Sequence, residues 1–197
     1  LLMNAKQEAR EKAIQIRKKL SLKDQEIFSN LIKKNWDNIK KDFNLNTVGF
    51  YWPTKGEVSS LPIIEELIRE GSRCFLPIVS TNTEVRKLTF KEYSANTKLK
   101  ANRFKIPEPK EGVEVSAEKL DLIFVPCVCV DEAGYRIGMG MGFYDITFKE
   151  ISTQPQLITL AYDFQKIYSC FPEVHDIPTH GAITPAGYID FYSRKAE

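Results

Sequence analysis

The order of local signals between Thr47 and Val79 constrains the fold more than any other stretch of the chain. Thr47-Val-Gly-Phe-Tyr-Trp52 is rich in aromatic and β-branched residues and ends at Pro53, so it reads as a strand. Ile63, Ile64, Leu67 and Ile68 then recur at helical spacing, with Pro62 suited to a first turn and Gly71 to a stop. Arg73-Cys-Phe-Leu-Pro-Ile-Val79 is the next strand. Strand, helix and strand in that order predict a parallel βαβ unit.

The flanking stretches extend this pattern. Residues 4–20 predict a basic amphipathic helix whose apolar stripe is Ala9, Ala13, Ile16 and Leu20. Ser21 resembles an N-cap for a second helix running to about Ile39, striped by Ile27, Phe28, Leu31, Ile32, Trp36 and Ile39. Arg86–Phe90 predicts a short strand. Asn102–Pro109 must be extended, because Pro107 and Pro109 fix φ and exclude helix there. The apolar run within Asp121–Val130 predicts one buried strand. A helix is expected from Phe143 to about Ile151, a strand over Gln156–Ala161 and a short one over Tyr188–Tyr192. The class expected is α/β, a single domain over residues 1–197 with a mostly parallel sheet flanked by helices on both faces. A chain of 197 residues buries roughly 70% of its unfolded surface, so its core needs no disulfide or metal.

Charge excludes some functions. Lys and Arg number 28 against 26 acids, a balance of +2 that is too mild for nucleic acid as the main partner. No run approaches the ~20 apolar residues that span a bilayer, and Leu1–Lys6 carries no apolar leader segment. A cytoplasmic protein with small-molecule substrates, no nucleic-acid or membrane partner, and a monomeric or weakly dimeric state is the expectation. Cys74, Cys127, Cys129 and Cys170 then read as reduced thiols, with Cys127 and Cys129 on one face of the predicted strand.

Several residues could carry chemistry. Gly138, Gly140 and Gly142 alternate directly before a predicted helix. Without Cβ atoms, such a bend lets backbone amides approach a phosphate, with the helix start behind them; equally, it serves as a tight turn. The spacing is neither the dinucleotide fingerprint nor a P-loop. Asp145 follows in the first turn, either as an acid favoured by the helix dipole or as an oxygen ligand for Mg²⁺. Lys6 and Arg10 share a helix face, as a solvated basic surface or as a grip on phosphates. Tyr51, Trp52, Glu57 and Phe104 lie near predicted strand ends, where they suit either the core or a flat heteroaromatic ligand with N–H donors. His175 and His180 match no zinc spacing.

These features occur in an order that resembles the 5-formyltetrahydrofolate cyclo-ligase (5,10-methenyltetrahydrofolate synthetase) family over nearly the whole chain. The likeness runs through Lys6-Gln-Glu-Ala-Arg10, Gly56-Glu-Val58, Ile106-Pro-Glu-Pro109 and Asp121-Leu-Ile-Phe-Val-Pro126. Asp131-Glu-Ala-Gly-Tyr-Arg-Ile-Gly-Met-Gly-Met-Gly-Phe-Tyr-Asp145 is its most specific block, and the Pro172–Asp176 loop closes the set. The resemblance implies a fold shared with sugar-phosphate isomerases and CoA transferases. It implies ATP- and Mg²⁺-dependent closure of 5-formyltetrahydrofolate to 5,10-methenyltetrahydrofolate, with ADP and phosphate released after the formyl oxygen is phosphorylated. It further implies that Lys6, Arg10, Arg136, Ile137, Gly138, Met139, Gly140, Met141, Gly142, Phe143 and Tyr144 bind ATP, with Arg10, Arg136 and Tyr144 catalytic. Trp52, Glu57, Phe104, Met139 and Tyr144 would contact the folate, and Asp145 and Asp176 would hold Mg²⁺. The chain departs from the family's usual residues at Met139, Met141, Ser59 and His180. A non-catalytic nucleotide- or folate-binding relative with a regulatory or RNA-linked role is the alternative. A sugar-phosphate isomerase would turn over without ATP.

Overall fold

The structure is a computed structural model that describes residues 2–192, with side chains from Ala5 onward. Its centre is an eight-stranded sheet in the order β12-β11-β10-β7-β1-β2-β3-β6. These strands are β1 (Thr47–Gly49), β2 (Arg73–Val79), β3 (Leu88–Tyr93), β6 (Glu114–Val115), β7 (Leu122–Val125), β10 (Gln156–Leu160), β11 (Gly181–Thr184) and β12 (Gly187–Asp190). The run from β2 through β1, β7 and β10 to β11 is parallel, and the edge strands β3, β6 and β12 are antiparallel. Two small antiparallel pairs stand apart: β4 (Leu99–Ala101) with β5 (Pro107–Pro109), and β8 (Cys129–Val130) with β9 (Arg136–Ile137).

The pleat sends alternate side chains to two cores. Val48, Phe50, Cys74, Leu76, Leu122, Phe124, Ile158 and Leu160 meet α2 (Leu22–Ile39) and α3 (Leu61–Arg69). Trp36 of α2 is fully buried, its ring edge-on to Phe124 at 5.1 Å. Phe75, Ile123, Val125 and Leu157 face the other way, against Phe148 of α4 (Phe143–Lys149) and the single turn Ala117–Lys119. Gly49 is needed on this second face, because a Cβ there would lie 2.9 Å from Leu120 Cδ1 and 3.1 Å from Ile123 Cγ1. The α/β class with helices on both faces is therefore as expected from the sequence.

Several local expectations change. The predicted strand Asp121–Val130 is two strands, because Pro126 offers no N–H to a ladder and the chain leaves the main sheet there. Cys127 and Cys129 consequently join different clusters. The first strand ends at Gly49 rather than Trp52, and α4 ends at Lys149. Asn102–Ile106 forms a turn with Lys105 at φ +62°, so only its end is extended. In α1 (Leu2–Lys18) the buried stripe runs through Ala13 and Arg17, while Ile16 is exposed. In α2, Ile32 and Trp36 are buried, whereas Ile27 and Leu31 face solvent. Among the described residues no helix is long and apolar enough to cross a membrane. All four cysteines are free and buried.

Candidate active site

The carboxyl ends of the parallel strands carry the loops in which most of the sequence-selected residues lie. Helix α1 crosses this end by packing Ala9 and Ala13 on Val128, Cys129 and Ile137 of the β8–β9 unit. The Cys129 thiol donates to the Ala9 carbonyl at 3.7 Å, fixing the register of that contact. One turn before Ala13–Ile14, Arg10 then reaches the glycine bend: its Nε donates to the Gly138 carbonyl at 2.8 Å. A Cβ on Gly140 would sit 3.7 Å from the Arg10 Cζ and Nη2. Gly140 (φ +86°) and Gly142 (φ +72°) hold left-handed backbone that a side chain would strain. Among the described residues, the amides of Met139 through Gly142 make no hydrogen bond, leaving a row of N–H donors beside a guanidinium. Donors of these kinds suit phosphate oxygens. Helix α4 has only seven residues, so the free amides and cations outweigh its dipole. Met139 and Met141 are exposed at the bend, and their side chains contribute no charge. Ile137, by contrast, is buried beneath α1, with its carbonyl taken by Val128 N at 2.7 Å.

The loop after Phe171 closes the other wall. Lys6 Nζ donates to Asp176 Oδ2 at 2.7 Å and meets Glu173 Oε1 at 3.4 Å. Burial opposes both charges, but the mutual hydrogen bond and charge outweigh it. The Lys6 amine is held above its ordinary range, and the Asp176 carboxyl below its own. Asp145 Oδ1 accepts from Arg136 Nη2 and from the Ile177 amide, each at 3.2 Å. Arg136 is buried, with Nε unpartnered among the described residues.

Asp145 and Asp176 thus anchor neighbouring points of one loop. Each keeps one carboxylate oxygen, Oδ2 and Oδ1 respectively, outside any hydrogen bond among the described residues. Among those residues no group of three or more His, Cys, Asp or Glu side chains converges to hold a metal by itself. The donor set fits Mg²⁺, which is held by one or two carboxylates together with phosphates and water.

A second wall carries the aromatic residues. Glu57 lies in a turn closed by its own side chain, with Oε2 accepting from Thr54 N at 2.9 Å and Thr54 Oγ1 at 3.2 Å. Burial raises the Glu57 carboxyl above its ordinary range, against the pull of the Thr54 hydrogen bonds and the Arg17 charge. Tyr144, the second residue of α4, lies within the field of Glu57. Burial first, then that charge, push its hydroxyl upward, so it stays protonated as a donor. Phe104 packs edge-on to Phe143 at 5.8 Å, and Arg103 lies over both rings. Trp52 is half-buried, its ring edge-on to Tyr93 at 6.2 Å beside the α2–α3 core.

Lys6, Arg10, the glycine bend, Arg136, Asp145 and Asp176 therefore lie along hydrogen bonds and ion pairs that tie α1, the bend and the 172–177 loop together. His180 stands elsewhere. It sits at the amino end of β11, accepts from Leu157 N at Nδ1 (2.9 Å) and stacks on Tyr192. Two residues near Glu57 escaped the sequence reading, Arg17 and Tyr162, both buried. No local signal marks either residue, since the apolar stripe read from the sequence passes through Ile16 and Leu20 rather than Arg17.

The family model for 5-formyltetrahydrofolate cyclo-ligases matches residues 2–185. The 5-formyltetrahydrofolate cyclo-ligase of Escherichia coli K12 is 36% identical over 146 residues, covering 72% of this chain and 79% of that protein. The Haemophilus influenzae protein of the same name is 29% identical over 176 residues, covering 88% and 94%. The solution structure of Aquifex aeolicus 5,10-methenyltetrahydrofolate synthetase superposes with a TM-score of 0.77 at 30% identity, over 94% of this chain and 92% of that one. On that family match and those relatives, the chain belongs to the 5-formyltetrahydrofolate cyclo-ligase family.

Proposed function

We propose that the protein closes 5-formyltetrahydrofolate to 5,10-methenyltetrahydrofolate at the expense of ATP, with Mg²⁺ bound alongside the triphosphate. The observation that carries this reading is the meeting of Arg10 with the Gly138–Gly142 bend, two phosphate-binding elements far apart in sequence.

The chemical problem is a poor leaving group. The formyl oxygen of an N5 amide cannot depart as oxide, whereas phosphate departs readily. The formyl oxygen attacks the γ-phosphorus, and the bond to ADP breaks. N10 then attacks the activated formyl carbon and gives up its proton, and phosphate leaves. Arg10, Lys6 and Arg136 supply positive charge where it develops on the transferring phosphoryl group. The free amides of Met139 to Gly142 hold the phosphates in line. Tyr144, held protonated by burial, donates a hydrogen bond at the formyl group. Glu57 accepts from the pterin amino and ring N–H groups, while Phe104 and Trp52 border the flat ring. Mg²⁺, held by Asp145 and Asp176, would neutralise phosphate charge. Alignment of two bound substrates contributes the remainder of the rate.

The test is absorbance of the methenyl product after 5-formyltetrahydrofolate, ATP and Mg²⁺ are added to folded protein. An ATP-dependent rise supports the reading. Binding of both ligands without product favours a non-catalytic role, and turnover of a sugar phosphate without ATP points to isomerase chemistry.

A further inference from the structure

Arg17 is a buried cation on α1 that the proposed reaction leaves without a task. It is 2% exposed, and its Nε and Nη1 are enclosed with no hydrogen-bond partner among the described residues. Burying a guanidinium without a carboxylate in contact is costly, and an apolar side chain of similar volume is often the more stable choice. Its surroundings indicate what the charge does.

The arginine stem passes beneath the turn that carries Glu57. A Cβ on Gly56 would lie 3.4 Å from Arg17 Cγ and 3.6 Å from the Arg17 carbonyl. Lys55 (φ +50°) and Gly56 (φ +77°) both take left-handed backbone, which lets the turn sit down on that stem. The next residue, Glu57, has Oε2 fixed by Thr54. The Tyr162 hydroxyl is also enclosed and unpartnered among the described residues. Its ring is stacked on Phe164 and meets Phe28 edge-on, so it cannot swing away.

We infer that Arg17 is a positioning residue of the pteridine subsite, seating the Thr54–Glu57 turn so that the Glu57 carboxylate accepts N–H donors. This deepens the proposed function and rests on its assignment of Glu57. The electrostatics agree in sign. Burial drives the Glu57 carboxyl toward its neutral form, and the Arg17 charge opposes that drive. A protonated Glu57 would lose acceptor capacity toward the pterin. Without the cation, only the Thr54 hydrogen bonds and the Lys55 charge oppose burial, so the acid limb of folate affinity moves to higher pH.

The experiment compares wild type, Arg17→Met and Arg17→Lys in the full chain. Glu57 is titrated by its carboxyl ¹³C resonance, assigned through its loss in Glu57→Gln, and KM for 5-formyltetrahydrofolate and for ATP is followed against pH. Arg17→Met should raise the Glu57 midpoint by about one pH unit or more, a tenfold change in its ionisation constant. The acid limb of folate KM should move with it, while KM for ATP holds and the melting temperature does not fall. Arg17→Lys should restore most of the midpoint. An unchanged midpoint and folate profile in folded Arg17→Met overturn the inference; if that variant does not fold, Arg17→Gln serves the same comparison. Wild-type protein that makes no methenyl product, while Glu57 still titrates higher in Arg17→Met, overturns the proposed reaction and supports the pairing.

Discussion

Arg10 Nε donates to the Gly138 carbonyl at 2.8 Å, joining residues 128 positions apart. The bond orients a guanidinium over a bend whose amides make no hydrogen bond among the described residues, and so joins two segments that are distant in sequence. Arg10→Ala removes the charge and frees the bend. KM for ATP should rise and phosphoryl transfer should slow, with a loss in kcat/KM on the order of 10²-fold. Arg10 is part-exposed, so the melting temperature should change little. A drop in stability with unaltered kinetics would mark the arginine as structural only.

Gly140→Ala tests the backbone directly. At φ +86° the added methyl costs about 1–2 kcal/mol, and it projects toward Arg10. ATP affinity should weaken while folate affinity is retained, as read by calorimetric titration of each ligand. Equal weakening of both would show that the bend supports the whole cleft.

Asp145→Asn separates charge from shape. The amide oxygen can still accept from Ile177 N, so the 172–177 loop should keep its position and the protein its fold. Turnover should fall most steeply at limiting Mg²⁺, because an amide brings no charge to the cation. Near-normal kinetics at low Mg²⁺ would move the metal elsewhere.

The sheet centre was legible because strand and helix periods differ, and Thr47–Val79 switches cleanly between them. Lys6 and Arg10 on one helix face, and the alternating glycines, were legible as local patches because spacing alone confines each, but not the contact that joins Arg10 to the bend. Pro126 was harder: eight apolar residues outweighed one proline in the pattern, yet a parallel inner strand cannot lack that N–H. Arg17 was illegible for the opposite reason. A lone arginine on a basic helix reads as solvated, and only the fold of the distant 54–57 turn onto α1 encloses it. The edge-on packing of Trp52 against Tyr93 was not legible, because it joins segments that no local pattern links.

His180 predicts a pH dependence of stability. Burial depresses its pKa below the ordinary 6.5, against the pull of Asp190. The native state therefore binds fewer protons than the unfolded one. The stabilisation is complete above pH 6.5 and is lost as pH falls through the depressed value. Protonation at Nδ1 would also break the bond from Leu157 N. Melting temperature should fall on acidification from neutral pH, and His180→Gln should flatten that slope. An equally steep slope in the variant would assign it to other groups.

The most direct measurement is titration of ¹⁵N-labelled protein with ATP and Mg²⁺. Amide resonances of Met139 through Gly142 and of Lys6 through Arg10 should shift together and saturate with one dissociation constant. Shifts confined to one of the two segments, or saturation with two unrelated constants, would contradict a single triphosphate held between them.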